Sequence, residues 1–165
     1  MKNLIIHDHV ASWGNKKFRC AIGAAGISAE KQEGDNATPV GSFPLRYVLF
    51  RSDSVARPNS PFPTFALTPT DGWCDDVSCP SYNRQVTLPH SGSHEKLWRD
   101  DYLYNIIVIL GYNDDPPQPG KGSAVFLHIA RENFTPTAGC VALSEPDMRE
   151  FLTQAENGSC VTISP

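Results

Sequence analysis

Proline and glycine dominate what this chain can become: fourteen of the one and twelve of the other are spread through 165 residues. A backbone broken that often suits a strand-rich fold better than a helix bundle. The longest apolar run, NIIVIL at Asn105–Leu110, reads as a buried strand. No run approaches the roughly 20 apolar residues that a membrane-crossing helix needs. The length is that of one domain, residues 1–165, built around one core. Fourteen Lys and Arg against eighteen Asp and Glu give a formal charge of −4 with no basic cluster, so the chain lacks the footprint that nucleic acid requires.

Turn residues divide the chain into readable segments. Leu4–Val10 and Lys17–Ile22 flank Trp13-Gly14-Asn15 and predict an opening hairpin, with a polar loop over residues 23–36. Thr38-Pro39-Val40-Gly41-Ser42-Phe43 then bends the chain into a strand at Leu45–Phe50. Pro58, Pro61, Pro63, Pro69 and Pro80 make residues 51–83 a long excursion with little regular structure, suited to a lid or a substrate wall. Gln85–Leu88 predicts a short strand, Ser93–Trp98 a single helical turn capped by Ser93, and Tyr104–Leu110 a central strand. A further strand, Ala124–Ile129, carries His128 near its end. Ser144-Glu145-Pro146-Asp147 has the cap, acid and early proline of a helix start. It predicts a helix over Asp147–Ala155 that buries Met148, Phe151 and Leu152 and stops at Gly158. Cys160–Ile163 alternates as a closing strand.

Five cysteines, at 20, 74, 79, 140 and 160, leave one thiol over if the rest pair, and Cys140 is the candidate. Cys74 and Cys79 share a loop short enough for a disulfide. A thiol attacks as thiolate, so it needs a base or a positive environment. His128, at the end of its strand and across a turn from Cys140, is the natural base. Gly139 lets the backbone bend sharply and present N–H groups to an oxyanion. Nucleophile, base and oxyanion donors are the three parts of an acyl-transfer site. The plain alternative is a core histidine beside a buried structural thiol.

The segment Phe126-Leu127-His128 … Thr137-Ala138-Gly139-Cys140-Val141 resembles the active-site motif of the YkuD-like L,D-transpeptidases, in which a strand-borne His precedes Ser/Thr-x-Gly-Cys-hydrophobic. Thr38-Pro39-Val40-Gly41-Ser42-Phe43 resembles that family's upstream Thr-Pro-x-Gly-x-Phe element, and the resemblance spans residues 16–164. It departs from familiar members in a shorter His-to-Cys connection and in Ala138 and Ala142, where a His and an Arg or Asn are usual. The resemblance implies a mainly β, mixed sandwich with a few short helices and one C-terminal helix. It implies attack by Cys140 on a peptidoglycan tetrapeptide, at the bond between an L-configured stereocentre of diaminopimelate and D-Ala. The acyl group would pass to an amine, or to water in an L,D-carboxypeptidase. Peptidoglycan stem peptides are then the partners, carbapenems the inhibitors, no metal or organic cofactor is needed, and the setting is a bacterial periplasm or envelope. No signal peptide is legible in Met1-Lys2-Asn3 and Leu4–Val10, so export would use another route or a leader already removed.

Other residues have two readings each. Thr137 could orient His128 or line the oxyanion site, or satisfy its own turn. Arg131 could hold a substrate carboxylate in its bidentate fork, or be a solvated surface residue. His94, Trp98 and Arg99 suit a cleft for a stem peptide, or form a capped turn pinned to the core. His90 and His94, with Glu95 or Asp100, would be ligands of a metal-dependent peptidase only if one helix carried both, which Ser91-Gly92-Ser93 opposes. The rival from a different class is a wall-binding module that keeps the fold without the chemistry.

Overall fold

The computed structural model describes residues 3–165; Met1 and Lys2, on which part of the reading of the N-terminus rests, lie outside them. The chain opens as a meander of β1 (Leu4–His7), β2 (Val10–Trp13) and β3 (Lys16–Ala21). The single hairpin expected here is thus three strands, because Asp8, at φ +50, turns the chain a second time. β4 (Ile27–Ser28) and β5 (Thr38–Pro39) pair in parallel across the polar loop. β6 (Gly41–Phe50) follows, with β7 (Thr64–Ala66) parallel to it. β8 (Asp71–Cys74), β9 (Gln85–Thr87) and β10 (His94–Lys96) make a separate antiparallel sheet within the proline-rich region. β11 (Ile106–Leu110), β12 (Phe126–Ile129), β13 (Val141–Leu143), α1 (Glu145–Gln154) and β14 (Cys160–Ser164) complete the chain.

The main sheet runs β11-β12-β13-β3-β2-β1-β14-β6-β7, and β6 also pairs with β11. It therefore closes into a barrel-like ring, where a mixed sandwich was expected. The length of β6 makes this possible: Gly41–Pro44 pair with β14, while Leu45–Phe50 pair with β11. Closure leaves these strands no free edge along the shared stretches. Alternate residues from all eight ring strands fill one core, which α1 completes with Met148, Phe151 and Leu152, each 0% exposed. Burying each of those side chains contributes about 2 kcal/mol. The helix has the cap its sequence predicts, with the Ser144 hydroxyl accepting from the Asp147 N–H at 3.2 Å, and it begins at Glu145, ahead of the expected Asp147. It ends at Gln154, four residues before Gly158. It is the one helix among the described residues, where several short ones were expected.

β11 is buried on both faces. Ile106, Val108 and Leu110 enter the barrel core, whereas Ile107 and Ile109 join Phe126, Cys140 and Leu49 in a second core outside the barrel. The small sheet covers that second core with Trp73 and Leu97. The predicted helical turn at Ser93–Trp98 is instead β10, whose His94, Glu95 and Lys96 pair with Cys74, Trp73 and Gly72. Pairing to an available edge of β8 overrides the local capping signal. No helix among the described residues is long and apolar enough to cross a membrane.

Candidate active site

Residue parity decides which side chains meet outside the barrel. β12 and β13 are parallel, with His128 beside Ala142 and Leu127 beside Val141. Side chains of paired residues share a face, and faces alternate along each strand. His128 therefore lies on the outer face with Ala142, and Cys140, one residue before β13, joins them. Both line one cleft of about 330 Å³, walled by β12–β13, the segment 31–36 and the small sheet.

Cys140 is buried, and its Sγ–H donates to the Ala124 carbonyl at 3.1 Å while Sγ accepts from the Phe126 N–H at 3.4 Å. Burial pushes the thiol up to about 12; Glu95 adds to this, and the Phe126 N–H and Lys31 oppose it. His128 is 7% exposed and donates its Nδ1–H to the Ile129 carbonyl at 2.9 Å, leaving Nε2 as the basic nitrogen. Burial lowers the imidazole to about 4 against that hydrogen bond, with Arg99 and Arg131 reinforcing the shift. Burial thus favours the neutral form of both groups, and the sulfur is turned to Ala124, not to the imidazole. The sequence reading, which looked for a thiol eased toward thiolate, missed this because burial cannot be read from motif spacing.

Gly139 has a stereochemical reason to be glycine. Its φ is +137°, and a Cβ there would meet the Ala37 carbonyl oxygen at 2.9 Å. Its N–H donates to Thr137 Oγ1 at 3.1 Å, and the Thr137 hydroxyl donates to the Cys140 carbonyl at 2.6 Å. Thr137 therefore satisfies the turn through both of its hydrogen bonds, and it lines the same cleft as His128 and Cys140. It also takes the Gly139 N–H, which had been expected to face an oxyanion. Thr38 holds the same peptide from the other side: its Oγ1 accepts from the Gly23 N–H at 2.8 Å and donates to the Gly139 carbonyl at 3.0 Å. Thr38-Pro39 thus meets the turn before Cys140 directly, across a sequence separation of 101.

The cleft walls carry both signs of charge. Lys31, Arg99 and Arg131 line it along with Glu33, Asp75 and Glu95. Arg131 is exposed at the rim, while Arg99 is paired with Asp101 at 2.6 Å. Tyr104 packs edge-on against His128 at 5.3 Å and donates to the Glu95 carboxylate. Burial raises Glu95 above the usual carboxylate range, against the pull of Tyr104 and Arg99. Asp75 Oδ1 is buried without a hydrogen-bond partner. His94 and Trp98, expected beside Arg99, do not line the cleft. His94 lies edge-on to His90 at 5.8 Å, and Trp98 stacks under the Arg51 guanidinium at 3.6 Å. The error follows from reading a helical turn: a strand turns Glu95 toward the cleft and His94 away. Tyr104, Lys31 and Glu33 had no motif to mark them, and strand periodicity at 94–96 was the clue to Glu95.

The metal reading based on His90, His94, Glu95 and Asp100 loses Glu95 to the cleft, and Asp100 is exposed. All five cysteines are free thiols, so an odd-thiol count does not single out Cys140.

Fold and cleft together define a closed, mixed β domain with a cysteine and a histidine facing one polar cleft. The chain belongs to the L,D-transpeptidase catalytic domain (YkuD) family, whose model matches residues 9–163. Two solved structures are similar over 99% of this chain. L,D-transpeptidase 1 of Mycobacterium tuberculosis is 12% identical with a TM-score of 0.44, and an L,D-transpeptidase from Mycobacterium smegmatis is 14% identical with a TM-score of 0.45. This chain spans 59% and 58% of their lengths. No curated protein matches it.

Proposed function

We propose that this chain is a peptidoglycan L,D-transpeptidase acting in the cell envelope, with Cys140 as nucleophile and His128 as general base. The observation that carries this is the placement of both side chains on one face of adjacent parallel strands, in a cleft with both cations and carboxylates. A stem peptide containing diaminopimelate presents carboxylates and an ammonium group. Lys31, Arg99 and Arg131 suit the former, and Glu33, Asp75 and Glu95 the latter.

In the first half-reaction Sγ leaves the Ala124 carbonyl and attacks the peptide carbonyl, and its proton passes to His128 Nε2. The new S–C bond makes a tetrahedral oxyanion, for which we assign the Cys140 N–H as backbone donor, since Thr137 engages that of Gly139. Collapse breaks the C–N bond, and His128 returns its proton to the departing D-Ala amine. An acceptor amine then attacks the thioester, gives its proton to His128, and the thiol is restored. Water in place of the amine gives carboxypeptidase activity at the same site. Carbapenems would acylate the same sulfur.

The test is mass spectrometry of wild type and Cys140→Ala after incubation with a disaccharide-tetrapeptide. The proposal expects an acyl adduct on wild type alone, with dimers marking the transferase and tripeptide the carboxypeptidase. Unchanged substrate and no adduct would overturn it in favour of a non-catalytic wall-binding module. The buried, protonated thiol is the observation on that rival's side.

A further inference from the structure

Outside the cleft, Cys74, Cys79 and His90 bring one ligand atom each within 4.8 Å of one another. We propose that these residues, with His94 as fourth ligand, hold a structural zinc ion that staples the cleft wall. None of the four takes part in the acyl-transfer chemistry proposed above.

The spacing of these residues is the first support. The segment reads Cys-x4-Cys-x10-His-x3-His, and Cys2His2 zinc sites pair two closely spaced cysteines with two histidines a few residues apart. Geometry is the second. Cys79 Sγ and His90 Nε2 are 3.7 Å apart. Zinc–sulfur and zinc–nitrogen bonds of about 2.3 and 2.05 Å at a tetrahedral angle put sulfur and nitrogen about 3.6 Å apart. His94 pairs with Cys74 across β10 and β8, which sets both on one face of the small sheet. Its ring centre is 5.8 Å from that of His90, against about 5 Å for two imidazoles on one tetrahedral ion; His94 lies outside the group of three whose ligand atoms fall within 4.8 Å, so the proposal requires its side chain to turn inward on binding.

The surroundings are those of ligands. His94 Nδ1–H donates to the Gly92 carbonyl at 2.8 Å, leaving Nε2 with its lone pair, the arrangement that fixes the tautomer of a metal-binding histidine. Cys79 Sγ accepts the backbone N–H of Ser81, two residues further on, at 3.4 Å. Such a bond favours thiolate at Cys79. A Cβ at Gly92 would meet His90 Nε2 at 3.1 Å and Asp76 Oδ2 at 3.0 Å, so glycine leaves this nitrogen accessible. Two thiolates with imidazoles select zinc over hard cations such as magnesium or calcium. Binding releases the two thiol protons to solvent, and no redox change occurs. The consequence lies in the neighbouring residues: Asp75 follows Cys74, Glu95 follows His94, and both face the cleft.

The full chain, purified under reducing conditions, stripped with chelator and retitrated with zinc, should bind one ion per chain by elemental analysis. Cobalt in its place should give the thiolate-to-metal band and the visible bands of a tetrahedral site. Cys79→Ser and His90→Ala, at half-buried positions, should each lower zinc affinity at least a hundredfold and lose the cobalt spectrum, whereas Cys140→Ala should keep both. Metal-free wild type with both thiols reduced, zinc kept by Cys79→Ser and His90→Ala, or a cobalt spectrum lacking the thiolate band would each overturn the proposal. So would a Cys74–Cys79 disulfide that yields no zinc binding after reduction. Because the readout is metal content, failure here leaves the acyl-transfer reading untouched, and the reverse also holds.

Discussion

Thr38→Val removes one oxygen from the point where the two halves of the family motif meet, and its cost follows from the hydrogen bonds lost. Thr38 is 0% exposed, and valine nearly matches its volume, so packing is retained. What goes is the acceptor for the Gly23 N–H, at 2.8 Å, and the donor to the Gly139 carbonyl, at 3.0 Å. A buried polar group left without a partner costs about 1–3 kcal/mol, so the pair predicts a loss of about 2–6 kcal/mol. For a domain of this size, each kcal/mol lowers Tm by about 2–4 °C. Guanidinium titration of Thr38→Val beside Thr38→Ser checks this. The serine variant keeps the hydroxyl and loses only a methyl group, and should stay within about 1.5 kcal/mol of wild type. Acylation should fall in the valine variant more than in the serine variant, because Gly139 is no longer pinned. If valine and serine prove equally stable, or if valine costs less than about 0.5 kcal/mol, the hydroxyl does not clamp the nucleophile turn.

Folding should depend on acid through His128. Its folded value, about 4, lies below the ordinary histidine value of about 6.5, so between them the unfolded chain binds a proton that the folded chain refuses. The stability that neutral His128 contributes is complete above 6.5 and falls as pH drops toward 4, by at most about 3 kcal/mol. The difference between wild type and His128→Asn in denaturant titrations from pH 7 to pH 4 should show this slope, and parallel curves would refute it. Glu95→Gln should lower the Cys140 thiol, since Glu95 now raises it. Its alkylation profile should move to lower pH, while KM for a stem peptide bearing an ammonium group rises roughly tenfold through loss of a charged hydrogen bond. An unmoved profile would take Glu95 out of the sulfur's electrostatic environment. Gly139→Ala should cost about 3 kcal/mol in thermal unfolding, from its backbone conformation and the clash with Ala37, and an unchanged Tm would contradict the φ.

Legibility from the sequence tracked how local each signal was. The α1 cap at Ser144, its buried stripe of Met148, Phe151 and Leu152, and the β11 run all emerged as read, because caps and periodicity are written within a few residues. The need for glycine in the turn before Cys140 was legible, and the φ of Gly139 bears it out. Barrel closure was not, since it depends on β6 pairing with β14 over one half and β11 over the other, a partition that nothing within Gly41–Phe50 announces. The same limit produced the error at 93–98. Ser93 is a reasonable cap, but the decisive partner, β8, lies some twenty residues away in sequence, and its pairing exchanged Glu95 for His94 and Trp98 in the cleft. Thr137 and Thr38 show the finer version: their motif positions were plain, and their hydrogen-bond partners were not.

The resting state of Cys140 carries a last prediction, because it separates reactivity toward small reagents from reactivity toward substrate. Sγ sits between an acceptor, Ala124 O, that favours thiol and a donor, Phe126 N–H, that favours thiolate. Burial and Glu95 tip that balance to thiol, up to about 12. At pH 7 the thiolate fraction is then about three orders of magnitude below that of an ordinary cysteine of pKa about 8.5. A small neutral alkylating agent should therefore react slowly, with a rate that climbs through pH 9 without a plateau. A stem peptide acts differently: its carbonyl draws the sulfur away from Ala124, and His128 Nε2 receives the proton as the S–C bond forms, so no free thiolate has to accumulate. Comparing pH profiles of alkylation and of acylation in wild type and His128→Asn tests this directly. His128→Asn should abolish acylation and leave alkylation nearly unchanged. An alkylation plateau with an inflection near pH 5–6, lost in His128→Asn, would mean that thiolate and imidazolium already coexist at rest, and the neutral pair would have to be abandoned.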